Sequence, residues 1–123
     1  MVRSLVVKVT CGSDDAERCN QAFTVAAAAV ASGVDVSLWL TGEAAWFALP
    51  GRVEEFSLPL ATPLADLLSV VLAGGTVTVC SQCAGRRAIS AADVRPAPRL
   101  RLPRIPRHPG VVVVLARRGH VAR

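Results

Sequence analysis

Two thiols three residues apart follow a run of β-branched residues in "TVTVCSQCAGRR" (residues 76–87), and two arginines follow after Ala84 and Gly85. A cysteine reacts as its thiolate, so the question is what could lower its pKa. A strand that ends at Cys80 and turns into a helix would aim backbone N–H groups at the sulfur. Arg86 and Arg87 would add positive charge one to two turns further along. Cys80, at the end of that strand, is therefore a candidate activated thiol, without the reaction being named. The same arrangement would serve a redox couple, a sulfur-transfer site or another cysteine nucleophile. The competing reading is that each thiol is a small buried hydrophobe, which weighs more on Cys83 than on Cys80.

Two further cysteines bear on these choices. A structural zinc site usually shows two close ligand pairs, whereas Cys11 and Cys19 are eight positions apart and Cys19 recurs at core spacing on a helix. Spacing thus argues against a metal clip, and no metal or other cofactor is expected. Cys11 and Gly12 follow the first strand and are candidate crevice-lining residues, with core packing as the alternative for Cys11. His108 and His120 sit in an arginine-rich tail and are assigned to no Cys–His pair.

The elements that must hold these residues can be read in order. "SLVVKVT" is an apolar strand over Leu5 to Thr10, and "SDDAE" starts a helix with Asp14 as N-cap and Glu17 completing a capping box. Cys19, Phe23, Ala26, Ala27 and Val30 form the helix's apolar stripe, and Gly33 ends it. "VDVSLWL" is a second strand, followed by a short helix capped by Thr41 and a loop over 51–61. Thr62-Pro63 opens a helix with Leu64, Leu67, Leu68, Val71 and Leu72 on its apolar face, stopped at Gly74-Gly75. "TVTVC" is the third strand, and a short helix is expected to start near Ser90. Short apolar strands alternating with helices predict a small three-layer α/β/α domain with a mostly parallel, Rossmann-like sheet, whose functional crevice lies at the strands' carboxyl ends. Cys11 and Cys80 both stand at such ends.

Composition sets the outer limits. The chain has 123 residues, 52% of them hydrophobic, which suits one globular core. Its longest uncharged apolar run, "AFTVAAAAVA", is about half of what a membrane span needs, and no secretory signal is read at the start. A cytoplasmic setting is expected, where thiols stay reduced. Charge divides the chain near Val94. Residues 1–94 hold six basic and nine acidic side chains, while residues 95–123 hold eight arginines, no acid and five of the eight prolines. We therefore divide it into an α/β domain, residues 1–94, and an atypical Arg/Pro-rich segment, residues 95–123, with one final strand expected over 111–116.

The pattern resembles the DsrE/DsrF-like family, which includes sulfur-relay proteins of the TusD type. The resemblance covers residues 4–94 and rests on strand, helix, strand and "GEA" turn, then on "VTVCSQCAGRR" with Arg86-Arg87 starting six positions after Cys80. It implies a small α/β domain, a trimeric or hexameric assembly, and a cysteine after the third strand that accepts sulfur as a persulfide and passes it to a small sulfur-carrier protein. By position, Cys80 would be that acceptor. Cys83 would resolve its persulfide or act as an alternative acceptor, and Arg86 and Arg87 would stabilise the thiolate or contact a partner. The tail departs from the family pattern, as a shifted reading frame or a divergent terminus would. The alternative function is a non-catalytic oligomeric subunit that binds a partner or small ligand in the strand-end crevice. Nucleic-acid binding is disfavoured, because the tail has no aromatic residue for stacking and the domain itself is acidic.

Overall fold

The computed structural model of the protein describes residues 4–97, 100–101, 112–115 and 121–122. Along the chain run β1 (Ser4–Val9), a one-turn 3-10 segment (Ser13–Asp15), α1 (Ala16–Ala31), β2 (Asp35–Leu40) and a 3-10 helix (Gly42–Ala48). They are followed by α2 (Arg52–Glu55), α3 (Leu64–Gly74), β3 (Thr76–Val79), α4 (Ser81–Arg86), β4 (Leu100–Arg101), β5 (Val112–Leu115) and β6 (Val121–Ala122). This is a small α/β domain. The strands form one sheet in the order β4-β3-β2-β1-β5-β6. All neighbours are parallel except β5 and β6, which run antiparallel.

Strand alternation places Val7, Val9, Val36, Leu38, Leu40, Val77 and Val79 on one face, all buried in a single core. α1 and α3 pack against each other. They contribute Phe23, Ala26, Leu64, Leu68 and Val71 to that core. Alanines on the inner stripe of α1 bring its backbone close to its neighbours. At the other end of the pair, a Cβ on Gly75 would lie 2.8 Å from the Val36 carbonyl oxygen, so only glycine lets α3 turn into β3 so tightly. Gly33, at φ +83°, ends α1 as expected.

The strands beyond Val94 belong to the same sheet: β4 pairs with β3, and β5, within the strand expected over 111–116, pairs with β1. Proline's missing N–H and fixed φ exclude the Arg/Pro stretch from a central position, and β4 accordingly lies at the sheet's edge. His108 and His120 lie outside the described residues. Among the described residues no helix is long and apolar enough to cross a membrane.

Four local expectations are corrected. Asp15, not Asp14, is the N-cap of α1, and no side chain caps it. The Asp14 carboxylate instead accepts the Gly12 N–H two residues back at 2.8 Å, a local bond competing with the cap. Thr41 makes no side-chain cap bond either, because its hydroxyl donates to the Val9 carbonyl of the neighbouring strand at 2.7 Å. The 51–61 segment contains the single turn α2. The short helix expected near Ser90 is a turn, held by the Ser90 N–H and hydroxyl donating to Asp93. The helix in this region is α4, which begins straight after Cys80.

Candidate thiol site

The sheet register brings the site together. Val9 pairs with Leu40, and Leu40 with Val79, so β1, β2 and β3 end side by side. The ladder continues one step past each end. The Thr41 N–H donates to Val9 O and the Cys80 N–H to Leu40 O, both at 2.9 Å. Three loops therefore leave one edge of the sheet as neighbours, carrying Cys11-Gly12, Gly42-Glu43 and Cys80 to Cys83. β2 lies between β1 and β3, which separates Cys11 from the Cys80–Cys83 pair.

Cys80 is the residue that caps α4, with its carbonyl accepting the Ala84 N–H at 2.9 Å. Cys80 and Cys83 are both free thiols and partly exposed. The polar groups gather on Cys83. Its partial burial raises the pKa, but four influences work the other way: the Gly42 backbone N–H, the neighbouring Cys80 side chain, and the charges of Arg86 and Arg87. Together they hold the Cys83 thiol below its ordinary value. Arg86 reaches the sulfur directly, its Nη1 donating to Cys83 Sγ at 3.8 Å.

The two arginines have different tasks. Arg87 forks onto Glu43, Nε and Nη2 meeting the same carboxylate oxygen at 2.8 and 2.7 Å. Its Nη1 donates to the Cys83 carbonyl at 3.1 Å. One guanidinium thus ties the first turn of the 3-10 helix to α4, and its direct contacts are to oxygen. α4 then stops at Ala88, whose φ of +55° is unusual for a residue with a Cβ. The Ile89 N–H returns to Ala84 O at 2.9 Å, and the buried Ile89 side chain anchors that turn.

Sequence reasoning missed Gly42 and Glu43 as partners of this site, although the "TGEA" turn was visible. Gly42 has φ +54°, and a Cβ there would lie 2.6 Å from the Thr10 carbonyl oxygen. Both facts require glycine, and they press this backbone against the end of β1. Removing the carboxylate by Glu43→Gln is expected to lower stability by about 0.5–1 kcal/mol, because the pair is partly exposed and screened by water. Urea unfolding measures it, and an unchanged midpoint would show that Arg87 holds α4 through the Cys83 carbonyl alone.

The remaining cysteines are core residues. Cys11 is fully buried, so the structure places it inside the domain and not on an accessible crevice wall. Cys19 is also fully buried, as its helical spacing suggested. Burial pushes the Cys19 thiol far up, and the charges of Cys11, Asp14 and Asp15 add to the effect, so it stays protonated. Gly12 is buried beneath the 3-10 helix, where a Cβ would lie 2.9 Å from the Glu43 carbonyl oxygen. An open cavity of about 270 Å³ lies beside the thiol site, walled by Glu43, Trp46, Phe47, Arg52 and Phe56 among others. The Arg52 guanidinium stacks 4.7 Å from the centre of the Trp46 ring. Glu43 is the shared element, facing the cavity and holding Arg87.

The family model of the DsrE/DsrF-like proteins matches residues 4–116. The chain belongs to the DsrE/DsrF-like family. The match runs beyond Val94, where the Arg/Pro-rich composition departs from the family pattern, and takes in β4 and β5. No curated protein matches the chain. Within this DsrE/DsrF-like domain, the site is the point where the three central strands end, a placement common to open α/β sheets.

Proposed function

We propose that this DsrE/DsrF-like protein relays sulfur, holding it as a persulfide on the thiol pair at the start of α4. The family offset to Arg86-Arg87 points to Cys80 as the acceptor. The observation that carries the reading is the pair itself: two partly exposed free thiols three positions apart at the start of α4, with the Arg86 guanidinium donating to Cys83 Sγ. Such surroundings favour thiolate over thiol, and the thiolate is the form that attacks a sulfur–sulfur bond. The natural partner on this reading is a small sulfur-carrier protein, met by a trimeric or hexameric assembly in the reducing cytoplasm.

The test is intact-mass spectrometry of the reduced full chain after incubation with glutathione persulfide. The expected result is a gain of one sulfur atom, lost when both Cys80 and Cys83 are serine. If the double variant gains as much sulfur as the parent, the relay reading fails.

A second reading has one observation behind it. The cavity beside Glu43 combines aromatic walls with charged groups, as small-ligand sites do. On that reading the protein is a non-catalytic oligomeric subunit that binds a ligand or partner there, and the thiols take up no sulfur.

A further inference from the structure

We propose that Cys83, rather than Cys80, is the thiol that takes on and gives up the sulfur atom, with Cys80, Gly42 and Arg86 positioned to stabilise its anion. This deepens the relay reading and rests on it. The geometry is asymmetric. Three groups from separate places in the chain favour the Cys83 anion: Arg86 Nη1, which donates to the sulfur at 3.8 Å from the last turn of α4, the Gly42 N–H in the turn after β2, and the Cys80 side chain at the end of β3. Cys80 is the N-cap of α4. Its backbone is also committed, the N–H to Leu40 and the carbonyl to Ala84. Cys83 is fixed as well, since Arg87 grips its carbonyl while leaving the sulfur to Arg86.

The chemistry follows from that placement. The Cys83 thiolate attacks the outer sulfur of a donor persulfide. The donor's S–S bond breaks, its electron pair leaves on the donor's inner sulfur as a thiolate, and the outer sulfur keeps its proton in the new Cys83 persulfide. In the return step an acceptor thiolate attacks that outer sulfur, and Cys83 leaves as a thiolate. One S–S bond forms and one breaks each time, so neither step needs an oxidant or reductant. The same three groups help twice, first by raising the thiolate fraction and then by improving the leaving group. Lowering a pKa also weakens intrinsic nucleophilicity, but less. Below the thiol's pKa, each unit gives about tenfold more thiolate against about a threefold loss of reactivity.

Three variants of the full chain test the assignment, with glutathione persulfide as probe and the added sulfur located by fragmentation between residues 80 and 83. The wild type is expected to carry the sulfur on Cys83. Cys80→Ser should still take it up, several-fold more slowly at neutral pH. Cys83→Ser should take up almost none. Arg86 is exposed, so Arg86→Gln should fold normally; it is expected to move the pH midpoint of Cys83 alkylation by iodoacetamide upward, with Arg86→Lys restoring part of the shift. Sulfur found on Cys80, with Cys83→Ser as active as the parent, would overturn the assignment and leave the relay reading standing. Sulfur on neither thiol of the wild type would overturn both. An Arg86→Gln profile that matches the parent would remove the electrostatic basis of the proposal.

Discussion

Gly42→Ala is expected to lower stability by about 2–3 kcal/mol and to move the alkylation of Cys83 to higher pH. Two costs add. The residue sits at φ +54°, where an L side chain costs about 1–2 kcal/mol. Its Cβ would also approach the Thr10 carbonyl oxygen at 2.6 Å, and that atom is backbone, with no rotamer to swing away. The chain just before it cannot yield, because the Thr41 N–H and hydroxyl both bond to Val9 O. The strain must therefore be relieved at Gly42 and beyond, which displaces the N–H that donates to Cys83. Gly51→Ala is the matching control. Gly51 has φ +84°, but nothing lies within 4 Å of its would-be Cβ, so only the conformational cost of about 1–2 kcal/mol applies and Cys83 should titrate as before. Urea unfolding and iodoacetamide kinetics on both variants decide the matter. Equal losses at the two glycines, with no change at Cys83, would mean that the close approach to Thr10 does not position the thiol.

Much of the fold was legible because apolar spacing carries it. Val7, Val9, Leu38, Leu40, Val77 and Val79 stand out as short apolar runs, and helical stripes such as Leu64, Leu67, Leu68 and Val71 lie where their periodicity put them. What failed were the choices among several local partners. Asp14 and Asp15 are both acceptable caps by type, and a backbone donor two residues back settled the choice, since Gly12 drew the Asp14 carboxylate away. Thr41 has the right type for a cap, but the carbonyl on the adjacent strand is closer to hand. Neither outcome can be deduced from spacing, because each depends on a neighbour fixed by the rest of the fold. The tail was misleading for a related reason. Its arginines and prolines argue against ordinary core packing, yet β4 needs only two residues to pair with β3 at an edge.

The thiol site was half legible. Types and spacing marked Cys80, Cys83, Arg86 and Arg87 as a group, and topology placed them at the strand ends. Their roles depended on a partner from a distant part of the chain. Glu43 takes Arg87, which leaves Arg86 for the sulfur, and Gly42 supplies an N–H that no reading of residues 76–87 could contain. Parallel pairing is what joins them: once β2 lies beside β3, the turn after Leu40 must lie beside the turn after Val79.

Phe47→Ala should have the largest effect on stability, a loss of about 3–5 kcal/mol. The ring is only 3% exposed. It meets Phe23 edge to face at 5.9 Å between centroids and Phe56 at 5.8 Å, and a Cβ on Gly12 would lie 3.4 Å from its ring. In a core built mostly from valine, leucine and alanine, these three rings fill a volume that small side chains cannot close in on, so truncation leaves a cavity. Against a total stability of roughly 5–15 kcal/mol for a domain of this kind, such a loss would leave a measurable unfolded fraction. Phe47→Leu keeps most of the volume and should cost about half as much. The site gives the prediction a second readout. Phe47 belongs to the same 3-10 helix as Gly42 and Glu43, so loosening its anchor should free both and slow the alkylation of Cys83 at neutral pH. Urea midpoints at constant m-value give the stability change. A loss below about 1 kcal/mol would mean that the 3-10 helix is held by Glu43 and Arg87 rather than by its aromatic anchor.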